Sequence, residues 1–207
     1  MEHFVITIAR GYGSGGKTMG KMLAEELGVH FYDRELLRLA SDESGINEEL
    51  FGKADEQLKK SLLFRIARKE YKGQLIPPDR EDFVSNDNLF NYQAKVIRQI
   101  AEQESCIIVG RCADYILKDK DNVVKIFVHA SVEDCVERLE DMFHLPKKEL
   151  EKKVIDTDKR RSEYYKYYTG RNWADAMNYD LCLNSGRLGF DKCVEIVKNY
   201  LKIRYDI

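Results

Sequence analysis

The stretch ARGYGSGGKTMGKMLAEELG, residues 9–28, carries five glycines between Gly11 and Gly20, with Lys17 and Thr18 among them, and runs directly into a helical pattern. Met19, Met22, Leu23 and Leu27 recur on one helix face, and Gly28 supplies a C-terminal stop. Immediately before the glycines, Phe4–Ala9 (FVITIA) is short, β-branched and apolar, which predicts a strand buried on both faces. The order is strand, glycine loop, helix. Residues 11–18, GYGSGGKT, match G-x-x-x-x-G-K-[ST] at every position. Glycines let successive backbone N–H groups point into one concavity and let a phosphate approach without a Cβ in the way. The helix starting near Lys17 adds the positive end of its dipole. The spacing therefore assigns Gly11, Gly13, Ser14, Gly15, Gly16, Lys17 and Thr18 to a nucleoside triphosphate. Lys17 would reach the β- and γ-phosphates and the Thr18 hydroxyl would ligate Mg²⁺, which makes ATP and Mg²⁺ the expected cofactors.

Outward from this unit the pattern repeats. Val29–Tyr32 reads as a short strand ending at Asp33, followed by a helix bearing Leu36, Leu37 and Ala40. A polar helical region spans Asn47–Lys72, and the loop LIPPDREDFVSNDN leads to an amphipathic helix with Leu89, Phe90, Gln93, Val96, Ile97, Ile100 and Ala101. CIIVG (Cys106–Gly110), VVKIFVHA (Val123–Ala130) and YDLCLN (Tyr179–Asn184) read as further strands. Ser131 with Asp134 forms a capping-box signature, and Phe190, Cys193, Val194, Val197 and Leu201 share one face of a closing helix. Apolar strands alternating with amphipathic helices predict an α/β fold, a parallel sheet covered on both faces, with ligands gathered at the carboxyl ends of the strands. The 207 residues fit a single kinase-type domain, 1–207, with an acceptor-binding insert at 46–88 and a lid at 144–176.

Composition narrows the partners. A net charge of −2 gives no global attraction to nucleic acid or to anionic membranes, so any anion site must be local. The N-terminus lacks the basic start and the length of a signal peptide, and no stretch is long enough to span a bilayer. The five cysteines are odd in number, with no pair at metal-ligand spacing, which suits buried reduced thiols. A cytoplasmic protein acting on a small molecule, with neither nucleic acid nor membrane as partner, is the expectation; the sequence does not specify an oligomeric state.

Three places bear on what receives the phosphate. The CIIVG strand ends in Arg111, where hydrolysing P-loop proteins carry a metal-binding acid, and a cation there suits an anionic acceptor or a structural role. Asp33 could position an acceptor, hold a metal-bound water, accept a proton or cap the following helix. In EKKVIDTDKRRSEYYKYYTGRNW, Leu150, Val154, Thr157, Arg161, Tyr164 and Tyr168 share a stripe, and Asp158 lies one turn before Arg161. A mobile helix pair swinging arginines over the triphosphate and a solvated helix with Asp156–Arg160 and Asp158–Arg161 ion pairs are the two readings. The tyrosines there and Trp173 suit packing that anchors the lid more than base stacking.

These motifs, with FYDRELL, IIVGRCADYIL, VKIFVHASVEDCVERL, DKRRSEYY and YDLCLNSG, occur in the order found in the cytidylate kinase branch of the nucleoside monophosphate kinases. The chain most closely resembles the cytidylate kinase-like proteins, from residue 4 to about 200. The resemblance implies a P-loop NTPase three-layer fold with a helical lid and a helical monophosphate-binding insert, and transfer of the γ-phosphate of Mg·ATP to CMP or dCMP. It makes Lys17, Asp158 and Arg161 the catalytic candidates, and Asp33, Arg34, Arg38, Arg111 and Arg138 the acceptor-binding ones. Cys112 replaces an aspartate of the family pattern, Cys135 an arginine, and Leu39 stands where an arginine is expected, with Arg34 and Arg38 only nearby. The groups facing ATP are retained better than those facing the acceptor. A kinase of a small anionic hydroxyl metabolite, with Asp33 as base and Arg111 with Arg34 or Arg38 holding a carboxylate, and a nucleotide-binding regulator without transfer activity are the alternatives.

Overall fold

Strand β1 (Val5–Arg10) lies at the centre of a computed structural model that describes residues 3–56 and 74–205. It is flanked by β3 (Cys106–Val109) and β4 (Val123–His129), with β2 (His30–Tyr32) and β5 (Leu181–Asn184) at the edges. The order is β2-β3-β1-β4-β5 and every pairing is parallel, with Val5 opposite Cys106 on one side and Val123 on the other. Parallel neighbours need crossover connections, and helices supply them. They are α1 (Gly16–Leu27), α2 (Glu35–Ser44), α3 (Glu48–Glu56), α4 (Asn86–Gln103), α5 (Ala113–Ile116), α6 (Val132–Glu140), α7 (Lys147–Thr169), α8 (Ser185–Leu188) and α9 (Phe190–Tyr205).

Side chains alternate across a strand, so each apolar strand feeds two cores. Ile6, Ile8, Ile107, Val109, Val124, Ile126 and Val128 pack with Met19 and Leu23 of α1 and Cys193, Val194, Val197 and Leu201 of α9. Val5, Cys106, Ile108 and Val123 face the opposite layer, formed by α2, α3, α4, α5 and the carboxyl end of α7. Ile6, Ile8 and Ile107 are fully buried, and each such side chain contributes about 1.5–3 kcal/mol relative to exposure. Three layers thus fix every strand end on one rim.

The local signals act as read. Gly28 closes α1 in the left-handed region, and Ser131 and Asp134 form a complete capping box on α6. Three expectations differ from the structure. Asp33 is not a helix cap: α2 starts after Arg34, with no side-chain cap. Segment 144–176 holds one long helix, α7, with a short 3-10 turn only from the segment's last residue onward (Ala176–Asn178), not a helix pair. The carboxyl half of α7 belongs to the main core, as its aromatic residues predict. Tyr165, Tyr168 and Trp173 are buried there, and Tyr168 stacks on Phe90 of α4 with ring centres 3.9 Å apart. Cys182 is exposed because it sits on the edge strand, whereas the other four thiols are buried. Of the insert at 46–88, residues 57–73 lie outside the described residues.

Candidate active site

The glycine loop joins the carboxyl end of β1 to α1, at the rim the parallel sheet reserves for ligands. Gly13 and Gly15 have φ of 79° and 76°, a left-handed conformation that a side chain disfavours. A Cβ on Gly13 would come within 2.8 Å of the Cys135 Cβ, and one on Gly15 would collide with the Phe190 ring. The loop's back is therefore packed against α6 and the start of α9. Its front is the amino end of α1, which carries no acidic residue in its first turn and presents Lys17 and Thr18 exposed. First-turn N–H groups of α1 with no side-chain cap, the positive end of its dipole, an ammonium and a hydroxyl are a donor set that fits nucleotide phosphates.

Asp33 follows β2 and places its carboxylate Oδ2 2.6 Å from Lys17 Nζ. Burial alone would raise its pKa, but the Lys17 hydrogen bond and the charges of Lys17, Arg10 and Arg111 outweigh burial and hold the carboxyl below its ordinary range. Arg111 Nε donates to the Asp33 carbonyl at 3.3 Å, and its NH1 donates to Gln93 Oε1 on α4 at 3.2 Å. Among the described residues, Arg111 and Cys112 are the non-glycine ones with positive φ, 58° and 53°, a turn that throws the Arg111 side chain back over the ends of β2 and β3 and costs on the order of 1–3 kcal/mol per residue. Arg10, Lys17 and Arg111 thus surround Asp33 where three strands end.

The middle of α7 reaches the loop. Asp158 Oδ1 accepts the Tyr12 N–H at 2.7 Å, and Asp158 lies close enough to Gly11 that a Cβ there would be 3.2 Å from Oδ2. Burial raises the Asp158 pKa, only partly offset by the Tyr12 N–H and by Arg161 and Arg10. Arg161 NH1 donates to the Arg10 carbonyl at 3.0 Å and lies 3.5 Å from Asp158, with its guanidinium above the Tyr12 ring. Arg161 is therefore partly buried against the loop and not on the solvated face of α7. Arg160, on the outer face, donates to Thr157.

The remaining predicted residues are placed differently. Arg34, just before α2, and Arg38, on its first turn, are exposed, Arg38 pairing with Glu35 at 3.1 Å. Arg138 lies behind the loop, where its guanidinium donates to the carbonyls of Gly13 and Ser14. Sequence reasoning gave no role to Arg10, Gln93 or Ser185, which touch this machinery. Arg10 carries the one available signal, a charge ending an otherwise apolar strand; buried Gln93 and Ser185 look like ordinary helix residues until the elements pack.

A sequence profile of the cytidylate kinase-like family matches residues 5–187. The chain belongs to the cytidylate kinase-like family. Curated relatives include a cytidylate kinase of Methanopyrus kandleri, 26% identical over 94% of this chain and 91% of its own length. Another, from Sulfurisphaera tokodaii, is 24% identical over 95% and 94%. Among solved structures, an uncharacterized protein from Eubacterium ventriosum superposes with a TM-score of 0.71 at 24% identity, covering 97% of this chain and 99% of that one. Shikimate kinase from Bacteroides thetaiotaomicron gives 0.55 at 15% identity, covering 96% and 98%. These likenesses show a P-loop kinase fold.

Proposed function

We propose that this cytidylate kinase-like chain transfers the γ-phosphoryl group of Mg·ATP to a nucleoside monophosphate, CMP or dCMP. The observation that carries the reading is the cluster of Arg10, Lys17 and Arg111 around an ionised Asp33 at the sheet rim. A depressed carboxyl is a weak proton acceptor. A phosphate acceptor already bears an anionic oxygen and needs no base, whereas a hydroxyl acceptor does. The curated relatives named as cytidylate kinases support the same choice.

Mg·ATP supplies the phosphoryl group, and transfer then depends on positioning and charge neutralisation more than on covalent chemistry by the protein. The loop amides and the amino end of α1 bind the phosphates, Lys17 carries its charge to their outer oxygens, and Thr18 is the metal-ligand candidate. Asp33 positions Lys17. Arg111, braced by Gln93 and the Asp33 carbonyl, faces the acceptor as a fixed cation. Arg161, oriented by Asp158, adds a second cation from α7 and excludes water from the far side. Segment 46–88 then acts as the acceptor insert, and segment 144–176, anchored in the core by its carboxyl half, as a lid whose Asp158 and Arg161 meet the loop.

A second reading follows from the placement of Asp33 beside Lys17: a carboxylate in that position can orient a hydroxyl of a small anionic metabolite. ADP release from Mg·ATP with CMP, dCMP, UMP, AMP and small hydroxy acids decides between them. CMP or dCMP is expected to give the highest rate above the acceptor-free background. A rate only with a hydroxy acid would select the second reading, and ATP binding with no transfer to any acceptor would favour a regulator.

A further inference from the structure

Four groups converge behind the glycine loop, on the side away from its amides. Arg138 of α6 donates from NH1 to the Ser14 carbonyl at 3.1 Å, to Ser185 Oγ at 3.1 Å and to the Gly13 carbonyl at 3.5 Å, and from NH2 to the Ser185 carbonyl at 2.8 Å. Ser185, fully buried at the start of α8, has its Oγ 2.5 Å from the Ser14 carbonyl and 3.2 Å from the His129 carbonyl at the end of β4. The Arg138 guanidinium lies 4.9 Å above the Phe190 ring, the same ring that fills the space a Cβ on Gly15 would need. Both terminal nitrogens of Arg138 are thus engaged.

A trans peptide points its C=O and the next residue's N–H in opposite directions. Holding the Gly13 and Ser14 carbonyls from behind therefore fixes the N–H groups of Ser14 and Gly15. The Ser14 N–H closes a turn onto the Gly11 carbonyl at 3.3 Å, and the Gly15 N–H has no acceptor among the described residues. The doubly held Ser14 carbonyl thus aims the Gly15 N–H to the loop's open face. We infer that Arg138 and Ser185 are positioning residues for ATP: they clamp the carbonyl side of the glycine loop so that its amides are set before phosphate arrives. Donors that need no reorganisation on binding are worth most. The guanidinium also adds a positive charge behind the phosphates without touching them. This assignment moves Arg138 from the acceptor site, where the family resemblance puts it, to the donor site. It rests on the reading that the loop holds ATP, but not on the identity of the acceptor.

The test uses the full chain. Dissociation constants for Mg·ATP and ADP are measured without acceptor for wild type, Ser185→Ala, Arg138→Lys and Arg138→Met, together with melting temperature and with KM for ATP and for the acceptor that gives the highest rate. Loss of one preorganised contact should weaken ATP about 3- to 10-fold in Ser185→Ala, and loss of the whole clamp about 10- to 100-fold in Arg138→Met. Arg138→Lys keeps the charge but not the fork, so it should recover only part of the loss. Acceptor KM should stay within about twofold. An unchanged ATP constant with a raised acceptor KM would return Arg138 to the acceptor and overturn the inference. So would ATP affinity that falls only in proportion to melting temperature, with Ser185→Ala indistinguishable from wild type. A wild type that binds ATP but transfers to no nucleotide would sink the proposed reaction and leave the clamp measurable, whereas a wild type that binds no ATP would sink both.

Discussion

Lys17 Nζ and Asp33 Oδ2 lie 2.6 Å apart, joining the phosphate-loop lysine to the end of the edge strand β2. Lys17 is half exposed, so the pair adds at most about 1 kcal/mol to stability. Its value is in holding the ammonium where the phosphates would lie. Lys17→Ala is expected to lower transfer about a hundredfold or more while shifting the melting temperature by only a few degrees. Turnover near wild type would remove the phosphate-loop mechanism.

The same pair makes a prediction for pH. The folded state holds Asp33 ionised below the ordinary carboxyl range. Its contribution to stability is therefore complete above the unfolded pKa and is lost as pH falls through the lowered folded value. Asp33→Asn should flatten the rise of stability with pH across that acid window and leave the slope above it unchanged. Denaturant titrations from acid to neutral pH check this; identical slopes in both proteins would show that Asp33 is not held ionised.

Asp158 carries the opposite sign. Burial raises its pKa, so stability is greatest below the unfolded pKa and falls as pH rises through the folded value. Asp158→Asn keeps an acceptor for the Tyr12 N–H and should leave the protein as stable or slightly more stable at neutral pH. It should nevertheless lower turnover, because Arg161 loses the carboxylate that helps to orient it. Arg161→Ala should reduce turnover about 100- to 1000-fold with a smaller effect on melting; equal melting loss with unchanged turnover would make α7 a purely structural helix.

Tyr165 Oη donates to the buried Asp114 carboxyl at 2.6 Å, tying α7 to α5 directly after Arg111 and Cys112. Burial pushes the pKa of both groups up. Tyr165→Phe leaves Asp114 without that donor and should cost about 1–3 kcal/mol, read by denaturant melting. Because the loosened elements carry Arg111 and Arg161, turnover should fall as well; unchanged stability would mean that another donor replaces the tyrosine.

The glycine loop, the five strands and most helix faces were legible in the sequence because their signals are local: a motif, a period of two or of 3.6, a cap. Lys17 and Asp33 were placed on one rim by the rule for parallel sheets alone. Their 2.6 Å contact was not legible, nor was the turn at Arg111 and Cys112, where an arginine and a cysteine occupy a conformation their types do not favour. Family likeness placed Arg138 with the acceptor, but a sequence pattern carries no direction for a side chain. Arg138 meets Gly13 across 125 residues of chain, and Ser185 meets Ser14 across 171. Contacts at such separations depend on how strands and helices pack, so the sequence determined the glycine loop and its sheet, and only the tertiary structure decided which cations gather at the sheet rim and which hold the loop from behind.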